Sequence, residues 1–238
     1  MYQGKTILIT GTSRGIGNQL AIFFLNEGAK VIGFSRGGTT IENINYRHFS
    51  LNIGSTTEII NTFKILRQEK LNIDILINNA AVLTSQYSII IPAKNVEDMI
   101  NVNFKGAFLI TRESAKLMRK SKYGRIINIS SMAVVLEPMG DAIYAATKAA
   151  ITSVCNILAK EFSSMNITCN TIGITAIETD MLNSHTPSAK IKIKEIIENL
   201  PIPRVAKIED ILHVIKFFGS EESSYITAQT IYLGGLHS

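Results

Sequence analysis

Short runs of β-branched and aliphatic residues recur along the chain, separated by longer stretches whose apolar positions return every three to four residues. The short runs read as buried strands and the longer ones as helices, an alternation that predicts βαβ units around a parallel sheet. KTILIT, KVIGFS, YRHFSLNI, DILINNA, GRIINISS, NITCNTIGI and QTIYLGG supply seven strands. Helices are predicted over GIGNQLAIFFLNEG, closing at Gly28, over VEDMINVNFKGAFLITRESAKLMRK, over AIYAATKAAITSVCNILAKEFSS, and near 208–217. No linker or internal repeat interrupts the pattern, so 1–238 reads as one doubly wound α/β domain with helices on both faces of its sheet. The segment GGTTIENINY, between the second and third strands, is short for a crossover, and its helix is expected to shrink to a single turn.

Two stretches carry candidate chemistry. ITGTSRGIGNQL places Gly11, Gly15 and Gly17 between a strand and a helix. Gly11 permits a tight turn, Gly15 lets backbone approach a phosphate, and Gly17 allows close helix–strand packing, while the helix N-terminus offers N–H groups and a positive dipole. This is the Rossmann-type arrangement, with the spacing G-x-x-x-G-x-G. At the end of the second strand, where an acidic residue would hold a ribose 2′-hydroxyl, stand Ser35 and Arg36, with no acid until Glu42. Arg14 adds a second cation, and two guanidinium groups suit the 2′-phosphate of NADP(H).

In DAIYAATKAAI, Tyr144 and Lys148 lie one helical turn apart and share a face. A phenol with a pKa of about 10 is a weak acid–base group at neutral pH. A neighbouring ammonium would stabilise the phenolate and bring that pKa toward the working range. A surface Tyr–Lys pair would show the same spacing, so the decision rests on what accompanies it.

The glycine loop, NNA after the fourth strand, a Ser 13 residues before YAATK, and the YxxxK pair together resemble the short-chain dehydrogenase/reductase family, in particular its 3-oxoacyl-(acyl-carrier-protein) reductase branch. The resemblance implies catalytic roles for Asn103, Ser131, Tyr144 and Lys148: proton path, substrate hydrogen bond, proton donor and ribose anchor. Asn103 is preferred over Asn101 because NFKGAF fits the family pattern. It further implies that Gly11, Ser13, Arg14, Gly15, Ile16 and Gly17 cradle the cofactor. Asn52 and Ile53 would border the adenine, and Asn79, Ala80 and Ala81 would lie along the cofactor, with Tyr144 and Lys148 touching it as well. Ile177 and Thr179 would hold the carboxamide. A homotetramer and a carbonyl substrate are implied too.

The chain departs from the family pattern at several points. Ile174 and Thr175 stand where Pro-Gly is usual, which predicts a reshaped nicotinamide pocket. Ala81, Ala228 and Leu233 also replace the usual residues. Of the two basic positions that dock an acidic carrier protein in this branch, Lys122 matches one and Met165 occupies the other, leaving residual attraction to Lys120, Arg125 and overall charge. Residues 182–201 fall where the family has its substrate lid, and an amphipathic cover is expected there.

Composition narrows the alternatives. The chain is 46% hydrophobic and 18% charged, with no apolar run approaching the roughly 20 residues of a membrane span and no signal-peptide pattern, which points to a cytoplasmic protein. Cys155 and Cys169 read as core residues, and four scattered histidines make no metal site. A net charge of +5 comes without a nucleic-acid recognition motif, so no such partner is expected. Within the enzyme class the rival is an oxidoreductase of a sugar or polysaccharide precursor. Outside it the rival is a dinucleotide sensor, which would have no use for Ser131, Tyr144 and Lys148.

Overall fold

The structure, a computed structural model, describes residues 2–177 and 187–236. Seven parallel strands form one sheet in the order β3-β2-β1-β4-β5-β6-β7. They are β1 (Thr6–Thr10), β2 (Lys30–Ser35), β3 (Tyr46–Ser50), β4 (Ile75–Asn78), β5 (Gly124–Ser131), β6 (Ile167–Ile174) and β7 (Thr230–Tyr232). The predicted doubly wound α/β architecture is therefore present. Strand order reverses between β1 and β4, which opens a crevice at their carboxyl ends.

Side-chain alternation builds the two layers. In β1, Leu8 packs with Phe34, Phe63, Leu76 and Ile126 on one face, while Ile7 and Ile9 pack with Phe24, Ile77, Ile215 and Phe218 on the other. Both faces are covered, which is why the strands read as nearly continuous apolar runs. The helices are α1 (Gly15–Asn26), α2 (Thr56–Gln68), α3 (Ala93–Met99), α4 (Ala107–Ser121), α5 (Ala133–Leu136), α6 (Ala142–Glu161), α7 (Pro187–Glu198) and α8 (Ile208–Gly219).

Four features correct the sequence reading. First, α2 was not anticipated. Ser55 caps it, its hydroxyl accepting from Glu58 N at 3.3 Å, and Ile59, Thr62, Phe63 and Leu66 form its buried face. Second, residues 36–45 contain no helix, and all that stands in its place is one hydrogen-bonded turn closed by Tyr46 N on Asn43 O at 3.0 Å. Third, the predicted helix ahead of β5 is three segments, because a π-helix (Ile100–Gly106) separates α3 from α4. Fourth, among the described residues α6 alone meets the length and composition of a membrane span. It nonetheless packs on β5, β6 and the π-helix and buries the ammonium of Lys148.

One departure from the family pattern and one expected surface cation have structural consequences. Ala228 sits at φ +59°, a left-handed conformation in which a Cβ costs about 1 kcal/mol. Arg125, expected as surface charge, is an interior residue that is 1% exposed.

Candidate active site

A cavity of about 750 Å³ lies at the carboxyl ends of β1, β2, β4 and β5. At one end the β1–α1 turn supplies Gly11, Ser13, Arg14, Gly15 and Ile16 to its wall. Gly11 and Gly15 hold φ +80° and +59°, and an added Cβ on Gly15 would meet nothing within 4 Å, so the turn opens onto the cavity. Arg14 occupies the α1 N-cap without a side-chain cap bond, and no acidic residue sits in the first turn. Those N–H groups and the helix dipole are thus free to meet an anion. Gly17 is not on the wall. A Cβ there would lie 2.3 Å from Gly11 O, so this glycine serves the close packing of α1 on the turn.

Ser35, Arg36 and Gly37 line the adjacent wall, followed by Asn52 and Ile53 after β3 and Asn79, Ala80 and Ala81 after β4. Asn79 braces the turn, donating from Nδ2 to Thr10 O at 2.8 Å. Arg14 and Arg36 are both exposed, and neither guanidinium is in any of the salt bridges among the described residues. Sequence reasoning did not name the apolar lining from Phe34, Leu51, Val82, Leu83 and Val102. Only strand register and loop path bring those side chains together.

Tyr144 and Lys148 form the other end of the cavity with Ile129, Ser130 and Ile174. Ser131 stands beside the Tyr144 hydroxyl, which favours ionisation. Burial opposes it more strongly, and with Asp141 beside it the phenol's pKa is raised. Lys148 is 4% exposed and donates from Nζ to Ile129 O at 2.7 Å, with Nζ 5.8 Å from the Tyr144 ring centre. Burial pulls its pKa down to about 8. The expectation that the ammonium lowers Tyr144 is therefore corrected: desolvation dominates at both groups.

Asn103 sits in the π-helix, a feature that re-aims side chains within a helical segment. Its amide makes a two-way bond with Val82, accepting from N at 2.8 Å and donating to O at 2.8 Å. It also donates to Thr147 Oγ1 at 3.2 Å, and Thr147 donates in turn to Tyr144 O at 2.7 Å. Asn101 instead lies against Gly54. Ser131 Oγ accepts from Ala133 N at 3.1 Å. Ile177 is buried, pairs its backbone with Ala206 and does not line the cavity. Thr179 lies outside the described residues, as does the first part of the expected cover over 182–201. Lys122 stands just before β5, whereas Ser131 ends that strand, so within one chain the two are about 25 Å apart.

The depressed pKa of Lys148 makes stability pH-dependent. Between about pH 8 and 10.5 the folded protein has shed a proton that the unfolded lysine still binds, so this group's contribution to stability rises with pH. The difference in urea midpoint between the wild type and Lys148→Met is expected to change across that window and to stay constant below it. A flat difference throughout would show that Lys148 is not held neutral by burial.

A glycine turn feeding a helix N-terminus at the switch point of a doubly wound sheet, with Tyr144 and Lys148 at the far end of the cavity and Ser131 beside the tyrosine, defines a dinucleotide-dependent oxidoreductase. The short chain dehydrogenase family model matches residues 5–190, and the chain belongs to that family. It is 31% identical over 240 residues to the 3-oxoacyl-(acyl-carrier-protein) reductase FabG of Salmonella typhimurium, covering 98% of this chain and 97% of that one. Among solved structures, a putative gluconate dehydrogenase from Agrobacterium tumefaciens superposes with a TM-score of 0.89 at 27% identity, covering 98% of this chain and 95% of that one. A short chain dehydrogenase from Leptospira borgpetersenii with bound NAD+ gives a TM-score of 0.89 at 25% identity, covering 98% and 92%.

Proposed function

We propose that this protein is an NADPH-dependent carbonyl reductase acting on a 3-oxoacyl thioester. The observation that carries the reading is the cavity itself, with two guanidinium groups at one end that join no salt bridge among the described residues and the hydroxyl of Tyr144, beside Ser131, at the other. NADPH, when bound, supplies hydride to the carbonyl carbon. The β1–α1 turn would hold its pyrophosphate, Arg14 and Arg36 its 2′-phosphate, and Lys148 its nicotinamide ribose. Ser131 donates a hydrogen bond to the substrate carbonyl oxygen, and Tyr144 Oη gives that oxygen a proton. The Asn103–Thr147 pair fixes the start of α6 and hence the position of Tyr144. The relatives' name supports the acyl substrate.

The test follows NADPH absorbance with acetoacetyl-CoA. Turnover supports the reading, and tight NADPH binding without turnover on any acyl thioester would overturn the substrate assignment. Arg36→Ala is expected to raise the KM for NADPH by about tenfold or more with little change for NADH, the loss of one charge-assisted contact. Equal effects on both cofactors would contradict the NADP assignment.

A second reading, oxidation of a sugar or polysaccharide precursor, draws on Asp141. One of its carboxylate oxygens is buried without a hydrogen-bond partner beside Tyr144, and a substrate hydroxyl would satisfy it. Activity on polyols that Asp141→Ala abolishes, with none on acyl thioesters, would select this reading.

A further inference from the structure

The turn that carries Arg36 lacks the support a crossover helix would give, since residues 36–45 contain no helix. Its backbone is held instead by side chains from the strands on either side. Ser50 Oγ donates to Arg36 O at 3.1 Å, and Ser35 Oγ donates to Gly37 O at 3.0 Å. His48 Nε2 reaches the same Gly37 carbonyl at 2.9 Å, which requires that nitrogen to carry the proton. Nδ1 is then an acceptor, and the Tyr46 hydroxyl stands 3.2 Å from it. That hydroxyl has a single proton, which it donates to Thr12 Oγ1 at 2.9 Å or turns toward Nδ1 when the threonine hydroxyl donates instead, and Thr12 is fully buried inside the glycine turn.

Tyr46 and His48 are two residues apart in β3 and so share a face of the sheet. They pair in register with Val31 and Gly33 of β2. The space over Gly33 is what admits the network: a Cβ there would lie 2.2 Å from the Tyr46 hydroxyl oxygen and 2.5 Å from Thr12 Oγ1. The continuous path Thr12–Tyr46–His48–Gly37 therefore links the turn bearing Arg14 to the turn bearing Arg36. Neither Tyr46 nor His48 lines the cavity, so their influence on a ligand must pass through backbone.

We infer that the Thr12–Tyr46–His48 relay replaces the missing crossover helix and positions Arg36, making Tyr46 and His48 positioning residues for the choice between NADP and NAD. This rests on the NADP(H) reading above. Loss of the relay lets the Arg36–Gly37 turn move, which weakens contacts to a 2′-phosphate while the pyrophosphate cradle and the Tyr144 end stay in place.

The test is titration of NADPH and NADH fluorescence against wild type, His48→Leu, His48→Gln and Tyr46→Phe, with kcat measured at saturating NADPH. His48→Leu is expected to weaken NADPH by about five- to tenfold and NADH by less than about twofold, with kcat held. His48→Gln, which keeps a donor for Gly37 O, is expected to recover most of the preference, and Tyr46→Phe to fall between. If His48→Leu fails to fold, Tyr46→Phe carries the test, since it removes a single hydroxyl. A wild-type preference for NADPH that survives both variants would overturn the inference alone. Equal weakening of both cofactors, or no recovery in His48→Gln, would also overturn it. A wild type without preference for NADPH would overturn the cofactor reading, and that is seen before any variant is made.

Discussion

Tyr144→Phe is expected to lower kcat for carbonyl reduction by about 10²–10⁴-fold, the usual contribution of a positioned general acid, with NADPH affinity within about twofold of wild type. The substitution removes one oxygen and leaves the ring that lines the cavity. Burial raises the phenol's pKa, so the hydroxyl holds its proton throughout the neutral range and is available as a donor. With Ser131 beside it, a carbonyl oxygen that meets the phenol would also lie within reach of the serine. Lys148, brought to about 8 by burial, can exchange a proton with its surroundings near neutral pH, which suits it to restoring the phenol after each turnover. Stopped-flow and steady-state NADPH oxidation, paired with a fluorescence titration of the cofactor, separate chemistry from binding. Retention of more than about a tenth of wild-type kcat would remove Tyr144 as the proton donor.

The parts of this arrangement legible in the sequence are those that depend on local spacing. The glycine turn, the β-branched strand runs and the Tyr144–Lys148 pair are each written within a dozen residues, and the structure brings them to one cavity. Other features needed tertiary information. The helix α2 was marked by Ser55 and Glu58 and by apolar Ile59, Phe63 and Leu66, a signal obscured by the polar residues between them. The π-helix shifts the register of one helical stretch without any change in composition, so the sequence reads as continuous through Asn103. Whether Lys148 would meet the Tyr144 hydroxyl or a strand carbonyl could not follow from a four-residue spacing, because Ile129 O comes from a different element. The Thr12–Tyr46–His48 contacts arise only once β1, β2 and β3 are in register. Lys122 and Arg125 show the same limit in reverse: the first matches a basic docking position and the second reads as a nearby surface cation, yet one stands at the far end of the sheet and the other is interior.

Arg125→Met is expected to destabilise the fold by about 3 kcal/mol or more, a fall in Tm of about 10 °C for a chain of this size. The guanidinium closes the amino-terminal edge of the sheet. It donates from Nε to Ser220 O at 3.0 Å, from one terminal nitrogen to Gly124 O at 2.9 Å and from the other to Glu221 O at 3.4 Å. The Tyr123 ring stacks on it at 4.5 Å, and the same ring receives Lys5 at 4.1 Å, while Lys5 pairs with the Glu221 carboxylate at 2.7 Å. Methionine would fill most of the volume but leave carbonyls of the α8–β7 connection facing an apolar chain, and an unmet buried acceptor costs more than its bond contributed. The exposed Arg47–Glu69 pair provides the comparison, since a solvated, salt-screened ion pair contributes little to stability. Thermal unfolding of Arg125→Met beside Arg47→Met checks the contrast, and equal losses would mean that water reaches those carbonyls. Because this edge lies opposite the cavity, residual folded Arg125→Met is expected to keep wild-type cofactor affinity, which separates the residue that holds the sheet together from those that work at its other end.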